Sequence, residues 1–258
     1  MKNEAIDQGG VRYHVDERGL ATVSFYHPLS NSLPSKVLAK LAQTITVAGE
    51  DPRVRLVLLK SEGDRVFCGG ASFDELMSIE DLEAGKLFFS GFANVINAMR
   101  TCPKLILGRV QGKAVGGGVG LASAVDYCYA TQFAAVKLSE LAVGIGPFVV
   151  GPAVERKMGL AAMSDLAINA TEWRSARWAE QRGLFNDVFD SAEEMDTALS
   201  ALIDRLLSKS QRAMTELKKV FWVGTEHWSA LLAERAAISG ALVLTEESKS
   251  AIEAFKKK

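Results

Sequence analysis

Three consecutive glycines, Gly116 to Gly118, separate an apolar strand-like segment (105–110) from a segment rich in helix-forming residues (121–130). Glycines leave backbone N–H groups uncovered by side chains, and here those groups lie at the positive end of a predicted helix dipole. Such a turn suits a bound phosphate or an oxyanion formed during a reaction. A tight turn that packs against another backbone has the same sequence pattern. No Gly-Lys-Ser/Thr follows the triplet, which excludes a P-loop, and the glycine spacing excludes a dinucleotide fingerprint.

A second glycine turn has the same construction. Gly69 and Gly70 follow a predicted strand (54–60) and precede a helix start that Ser72 or Asp74 could cap. Two such turns brought together would aim two backbone N–H groups at one point. This arrangement could hold the oxygen of a thioester as that oxygen gains negative charge.

Three segments of the chain, residues 67–76, 110–122 and 136–144, resemble the crotonase, or enoyl-CoA hydratase/isomerase, superfamily in motif, order and spacing. In detail, residues 116–122, 139–147 and 148–155 resemble bacterial methylglutaconyl-CoA hydratase-like members. The resemblance implies an oxyanion hole made by the N–H groups of Ala71 and Gly117, which would bind the thioester carbonyl of an acyl-CoA. It implies further substrate-binding positions at Gly70, Ser72, Phe73, Gly116, Phe148, Asn31 and Leu33.

The same resemblance implies the architecture and the assembly. The expected fold is α/β, the ClpP-like crotonase spiral of repeated β-β-α units followed by a helical C-terminal region. Residues 1–195 would form the spiral core with the CoA site and the oxyanion hole. Residues 196–258 would form a trimerisation or lid region whose helices cover a neighbouring active site. The expected assembly is a homotrimer or a dimer of trimers.

Glu140 follows a predicted strand end within residues 133–141. Composition alone would make it a solvated side chain, but the resemblance places it at the catalytic carboxylate of the family. The α-proton of a thioester becomes acidic when the enolate oxygen is stabilised, and a carboxylate in reach can then move that proton. Glu140 is therefore the predicted general acid and base.

Gly120 marks a departure from the family pattern. Typical hydratases carry a second glutamate at this position, and this chain has no acid there. Hydration needs a water that is both oriented and deprotonated, whereas a double-bond shift needs only removal and return of a proton. In a methylglutaconyl-CoA substrate, the distal carboxylate could help to position the water instead.

Three functions remain open at this stage. The leading one is an enoyl-CoA hydratase or isomerase, with methylglutaconyl-CoA hydration as a specific hypothesis. The second keeps the site but changes the reaction, because the superfamily includes decarboxylases and acyl-chain hydrolases. The third is a non-catalytic acyl-CoA-binding scaffold, and the presence of Glu140 argues against it.

Composition narrows the partners. With 258 residues, 48% of them hydrophobic, the chain can bury one large core. The net charge of −1 gives no reason to expect nucleic acid, and three scattered cysteines form neither a disulfide framework nor a metal cluster. No apolar run reaches the roughly 18 residues of a membrane span, and residues 1–7 do not resemble a signal peptide, so a cytoplasmic location is expected. No metal or redox cofactor is expected, because proton transfer beside a thioester involves no electron transfer. Coenzyme A would enter as part of the substrate.

Local patterns predict the elements that position these residues. Alternation over 10–26 predicts a β-hairpin, and apolar spacing predicts a helix over 34–49 with Ser32 as a cap candidate. A helix predicted over 73–100 should end at Cys102, because the residue before a proline avoids the α region. Its apolar face is either ordinary core or the wall of an acyl pocket. The candidates for that wall are Met77, Phe88, Phe89 and Phe92.

Overall fold

The computed structural model describes residues 8–256, and the side chains of residues 8–254. The expectation about a signal peptide at residues 1–7 lies outside the described residues. The strands are β1 (Gly10–Val15), β2 (Leu20–Tyr26), β3 (Ser32–Leu33), β4 (Leu56–Ser61), β5 (Val66–Cys68), β6 (Gly70–Ala71), β7 (Ile106–Val110), β8 (Lys113–Val115), β9 (Tyr127–Thr131), β10 (Ala135–Lys137), β11 (Arg174–Ser175) and β12 (Asp187–Phe189). The helices are α1 (Ser35–Glu50), α2 (Phe73–Met77), α3 (Leu82–Thr101), α4 (Gly117–Ala124), α5 (Gly151–Met158), α6 (Leu160–Ile168), α7 (Ala176–Gln181), α8 (Ala192–Leu207), α9 (Gln211–Phe221), α10 (Trp228–Leu242) and α11 (Glu246–Lys256).

Successive turns of the chain repeat one unit, a strand in a large sheet, a strand in a smaller sheet, and a helix. The large sheet has the order β1-β2-β4-β7-β9-β12, and the smaller one has the order β11-β10-β8-β5. The segments β4–β5–α3, β7–β8–α4 and β9–β10–α5 each make one turn. Their strands pair in parallel within each sheet. This is the predicted α/β spiral of β-β-α units.

The large sheet begins with the predicted hairpin, because β1 and β2 pair antiparallel. Beyond the hairpin its strands are parallel and read as nearly continuous apolar runs, such as Leu56-Val-Leu-Leu59 in β4. Such runs are expected when a parallel sheet is covered on both faces. Helices α1, α3 and α4 cover one face, and α8 covers the other with Met195, Leu199 and Ile203.

The last helices dock onto the spiral of their own chain. Helix α10 crosses α3 so closely that a Cβ on Gly240 would lie 2.6 Å from the backbone nitrogen of Lys86. Helix α11 packs on the segment after Glu140, where the Ser248 hydroxyl donates a hydrogen bond to the Gly144 carbonyl at 2.8 Å. The predicted division of the chain after residue 195 falls within α8 and stays a prediction. None of the helices in residues 8–256 is both long and apolar enough to cross a membrane.

Three local predictions need correction. The helix after the glycine triplet begins at Gly117 and ends at Ala124, and β9 replaces the rest of the predicted helical segment. The helix predicted over 73–100 is interrupted at residues 78–81, where Asp81 caps a new helix start. Helix α1 has no side-chain cap from Ser32; instead the Glu75 carboxylate accepts bonds from the Ser35 N–H and hydroxyl, both at 2.8 Å.

Candidate active site

A cavity of about 470 Å³ lies where the two glycine turns, helix α3 and the segment after β10 meet. Cavities of this size can hold most of a small ligand. Its wall is mainly aromatic and aliphatic. The lining residues are Ser32, Gly69, Gly70, Ala71, Phe73, Leu76, Phe88, Phe89, Phe92, Val115, Gly116, Gly117, Ser139, Glu140, Val143, Ile145, Gly146, Pro147, Phe148, Val149, Val150 and Ser239.

The two glycine turns approach each other closely at this cavity. Gly70 has φ +95°, a conformation that side-chain-bearing residues rarely adopt. A Cβ at Gly70 would lie 3.2 Å from the Val115 carbonyl oxygen and 3.9 Å from the Gly117 nitrogen. The backbone of one turn therefore packs directly on the other, as two donors aimed at one point require.

Each glycine of the triplet makes room for a different neighbour. A Cβ at Gly116 would lie 2.9 Å from Glu140 Oε1, and one at Gly117 would overlap the Phe92 ring. A Cβ at Gly118 would lie 2.5 Å from the Cys68 carbonyl oxygen. The triplet thus brings a carboxylate, an aromatic ring and the neighbouring turn against one stretch of backbone.

The candidate oxyanion donors lie on this backbone. Gly117 is the first residue of α4, so its N–H has no acceptor within the helix and lies at the positive end of the dipole. Ala71 ends the short strand β6, which pairs in parallel with β3. The Ser32 hydroxyl donates a 2.8 Å hydrogen bond to the Ala71 carbonyl and fixes this residue further. Both donors line the cavity.

Glu140 is positioned by the smaller sheet. It begins a short 3₁₀ turn (Glu140–Val143) three residues after the end of β10, and β10 runs beside the strand that leads into the glycine triplet. The Gly116 N–H donates to the Lys137 carbonyl at 2.9 Å, which ties the two segments together. The carboxylate therefore lies beside the triplet.

The environment of the Glu140 carboxylate disfavours its charge. The atom Oε2 is shielded from solvent and has no hydrogen-bond partner among the described residues. Burial raises the pKa of Glu140 from its ordinary 4.5 to about 7, because the ionised form loses its hydration. A carboxyl with a pKa near neutrality can both accept and return a proton at physiological pH.

The position of the missing second acid is occupied by other atoms. Gly120 is buried within α4, and a Cβ there would lie 2.6 Å from Val150 Cγ1. The Ile96 Cδ1 atom lies 3.6 Å from the same point. The space that a longer side chain at residue 120 would need is therefore filled by hydrocarbon.

The structure brings most of the predicted site residues together. Glu140, Ala71 and Gly117 share the cavity with four of the predicted substrate-binding residues, and three of the four aromatic and methionine candidates on the helical segment also line it. Met77 does not line the cavity, and its side chain is exposed. The four substrate-binding residues are Gly70, Phe73, Gly116 and Phe148.

Ser72, Asn31 and Leu33 do not line this cavity, and their part in substrate binding stays a prediction. Ser72 caps α2 by accepting a hydrogen bond from the Glu75 N–H. The Asn31 amide donates to the carbonyls of Glu62 and Val66, both at 2.9 Å, and its oxygen accepts from the His27 N–H. Leu33 is fully buried in the core. These side chains hold the loops that position the first glycine turn.

Several cavity residues had no signal in the sequence. Ser239, on α10, lies about a hundred residues from Glu140 along the chain and reaches the cavity only through the crossing of α10 with α3. Coverage of a neighbouring active site by the C-terminal helices stays a prediction. In the structure α11 packs on the segment after Glu140 of the same chain. Such contacts depend on tertiary packing and have no local pattern.

Comparison with known proteins agrees with this architecture. The chain is 28% identical over 242 residues to a probable enoyl-CoA hydratase of Bacillus subtilis, and the match covers 93% of each chain. It is 29% identical over 201 residues to the mitochondrial methylglutaconyl-CoA hydratase of Rattus norvegicus, which covers 77% of this chain and 63% of that protein. The crystal structure of an enoyl-CoA hydratase from Bacillus halodurans superposes with a TM-score of 0.87 at 18% identity, covering 95% of this chain and 99% of that one.

The family model described as enoyl-CoA hydratase/isomerase matches residues 16–258. This span includes both glycine turns, the Glu140 segment and the C-terminal helices. The prediction of an enzyme with the crotonase fold is confirmed, and the chain belongs to the enoyl-CoA hydratase/isomerase family.

Proposed function

We propose that this chain binds an acyl-CoA in the cavity, polarises the thioester carbonyl with the N–H groups of Ala71 and Gly117, and transfers protons with Glu140. The carboxylate of Glu140 would remove a proton from a carbon activated by the carbonyl, and the electron pair would move towards the thioester oxygen. The two N–H groups would stabilise the resulting negative charge. Glu140 would then return the proton to a different carbon, which moves the double bond and restores the carboxylate.

One observation supports a reaction with a single acid and base. Among the described residues that line the cavity, Glu140 alone is ionisable. The position of the family's second glutamate is Gly120, and Val150 fills the space beside it. A double-bond shift needs only one carboxylate, because the proton that leaves the substrate can return to it. This is the reaction we favour.

Hydration is the second candidate, and the names of the relatives favour it. A probable enoyl-CoA hydratase and a methylglutaconyl-CoA hydratase have nearly the same sequence identity to this chain, 28% and 29%. In this case Glu140 would deprotonate the water and then protonate the α carbon, so one residue would perform both steps. Decarboxylation and binding without turnover remain the alternative outcomes of the same experiment.

The test is a panel of thioesters that includes a 2-enoyl-CoA, a 3-enoyl-CoA and 3-methylglutaconyl-CoA, with products identified by mass spectrometry and NMR. We expect the 3-enoyl substrate to give the 2-enoyl isomer with unchanged mass. A gain of one water would establish hydration, and a loss of carbon dioxide would establish decarboxylation. Glu140→Gln should lower kcat by about 10²–10⁴-fold, the usual contribution of a general acid or base. Full activity of this variant on every thioester would remove Glu140 from the mechanism.

Assembly as a homotrimer or a dimer of trimers is a further part of this proposal, as is a cytoplasmic location. Exposed apolar side chains on and after α9 support an association of copies, since Val220 and Val223 are 66% and 72% exposed. Light scattering at working concentration should show three or six copies. A monomer would overturn this part.

A further inference from the structure

We propose that the enzyme selects acyl groups that end in hydrocarbon and discriminates strongly against acyl groups that carry a distal carboxylate. This inference rests on the proposed function, because it names the substrate class of the same cavity. It departs from the hypothesis of a methylglutaconyl-CoA substrate that the family resemblance suggested. The evidence is the distribution of charge and of hydrogen-bond donors around the cavity.

The cavity offers no counterion to a second carboxylate. Within the described residues its lining contains no lysine, arginine or histidine, and its one ionisable group is the acid Glu140. A distal carboxylate would therefore lose hydration without gaining a cation, and it would face a second carboxyl group. Both effects oppose binding of the charged form.

Two lysines that are close to the site in sequence contact a tryptophan ring outside the cavity. Lys113 and Lys137 lie on β8 and β10, the strands that lead to the glycine triplet and to Glu140. Both ammonium groups face the ring of Trp173, at 5.0 and 4.6 Å from its centroid. Trp173 lines a separate pocket together with Lys113 and does not line the cavity.

The hydroxyl groups of the cavity are also poor hydrogen-bond donors for a distal carboxylate. The Ser32 hydroxyl donates to the Ala71 carbonyl, and the Ser239 hydroxyl donates to the Arg235 carbonyl at 3.2 Å. The remaining lining hydroxyl is that of Ser139, which is adjacent to Glu140 in the chain. It belongs to the part of the cavity where the thioester would react, so it is unsuited to hold a group at the distal end of the acyl chain.

Helix α3 supplies a hydrocarbon wall instead. Phe92 packs against Gly117, beside the proposed oxyanion donors. Phe88 lies four residues earlier, which places it about 6 Å further along the same helix face. Phe88 and Phe89 pack edge to face with ring centroids 5.0 Å apart, and both line the cavity. An acyl chain extending from the thioester along α3 would meet aromatic and aliphatic side chains.

Binding of two saturated analogues tests this inference without a need for turnover. Isovaleryl-CoA and 3-methylglutaryl-CoA differ in that one methyl group carries an additional carboxylate in the second. Isothermal titration calorimetry should give isovaleryl-CoA a Kd at least about 100-fold lower, which corresponds to about 2.7 kcal/mol. The same preference should appear in kcat/KM for 3-methylcrotonyl-CoA over 3-methylglutaconyl-CoA.

A variant that supplies the missing cation should reduce the discrimination. Phe89 is partly exposed, so Phe89→Arg can retain solvation of its guanidinium while it reaches the cavity. We expect this variant to narrow the ratio of the two Kd values by at least about tenfold, through tighter binding of 3-methylglutaryl-CoA. Phe89→Leu is the matched control, since it shortens the same side chain without adding charge, and its ratio should stay above about 100-fold.

The outcomes separate the two levels of the proposal. Comparable affinity for both analogues, or a preference for 3-methylglutaryl-CoA, would overturn the inference and leave the acyl-CoA function intact. Failure of both analogues to bind at millimolar concentration would contradict the proposed function and the inference with it. Tight binding of isovaleryl-CoA alone, in the wild type and in Phe89→Leu, supports both.

Discussion

Two carboxylates of this protein are shielded from water, and their surroundings are opposite. Asp126 is only 3% exposed and is fully paired: it accepts hydrogen bonds from Lys218 Nζ at 2.7 Å, from Trp222 Nε1 at 2.9 Å and from the Ile106 N–H at 2.7 Å. Glu140 has an oxygen that is equally inaccessible and has no partner among the described residues. The Asp126 carboxylate is fixed by three donors, whereas Glu140 Oε2 is available to accept a proton.

The contrast relates partnering to role. Three donors around Asp126 replace its lost hydration, and they come from β7 and from the segment around α9. Asp126 therefore joins the C-terminal helices to the spiral. At Glu140 Oε2 no donor replaces the lost hydration, so the charged form is costly and burial raises the pKa of Glu140 to about 7. A buried group left unpaired in this way is a common property of catalytic residues.

The largest expected effect on stability belongs to the paired carboxylate. Asp126→Asn leaves the Lys218 ammonium buried without a counterion, and breaking a buried pair in this way costs about 3–5 kcal/mol. Urea unfolding should show this loss. The control is Asp196→Asn, which removes a partner of Arg109 that is 51% exposed and should cost at most about 1 kcal/mol. Equal losses in the two variants would contradict a special role of Asp126.

Glu140→Gln should remove a loss of folding stability that the wild type suffers at higher pH, whereas Asp126→Asn causes a loss. The folded-state pKa is about 7, and the ordinary value is 4.5. As the pH rises, the Glu140 carboxyl therefore loses its proton in the unfolded chain before it does so in the folded chain. Folding stability falls between about pH 4.5 and pH 7 and is constant above about pH 7. At about 1.36 kcal/mol per pH unit, the wild type loses about 3 kcal/mol of folding stability over this range. Glu140→Gln cannot titrate at this position and does not show this loss.

Unfolding in urea at pH 4 and pH 8 measures this difference. The stability of Glu140→Gln relative to wild type should increase by about 3 kcal/mol from the lower to the higher pH. A difference that is independent of pH would show that Glu140 titrates normally. Comparison of one variant at two pH values also cancels any constant effect of the new amide group.

The packing beside Gly120 gives a smaller effect. Gly120→Ala places a methyl group where Val150 Cγ1 is 2.6 Å away, and overpacking of this kind costs about 1–3 kcal/mol. Val150→Ala removes the obstructing atom, so the double variant should recover most of the loss. A double-mutant cycle measures this coupling. Additive effects of the two substitutions would mean that Val150 does not occupy the space beside residue 120.

Ser32→Ala should have the smallest effect, and mainly on activity. It removes the hydrogen bond to the Ala71 carbonyl, which is worth about 1 kcal/mol. We therefore expect kcat/KM to fall about fivefold. Ser208→Ala removes a hydroxyl that donates within the exposed end of α8 and should leave kcat/KM unchanged. An equal fall of kcat/KM in both variants would show that the Ser32 hydroxyl does not support the proposed donor Ala71.

Sequence patterns could predict the site where its signals are local. Consecutive glycines between strands and helices, the Ser72 cap, and Cys102 before Pro103 all act within a few residues, and the structure retains each of them. The order of the motifs then pointed to the family. The family resemblance, and not the local patterns alone, then implied the spiral and the position of Glu140.

The errors arose where distant contacts decide the structure. Helix α4 begins within the glycine triplet because the backbone there packs on Phe92 and Cys68. Asn31 holds the backbone of residues 62 and 66 across a gap of more than thirty residues. The Ser248 contact with Gly144 spans 104 residues. None of these contacts has a periodicity or a spacing in the sequence from which it could be inferred.

Exchange of substrate protons with solvent tests the central claim most directly. Wild-type enzyme in D₂O should introduce deuterium into a bound acyl-CoA at the carbon that Glu140 deprotonates, whether or not net turnover occurs. The rate should rise with pH and reach half of its maximum near the pKa of about 7, because only the carboxylate accepts a proton. Glu140→Gln should lose this exchange by about 10²-fold or more. Exchange at the wild-type rate in Glu140→Gln, or a wild-type rate that does not depend on pH between 5 and 9, would contradict the account.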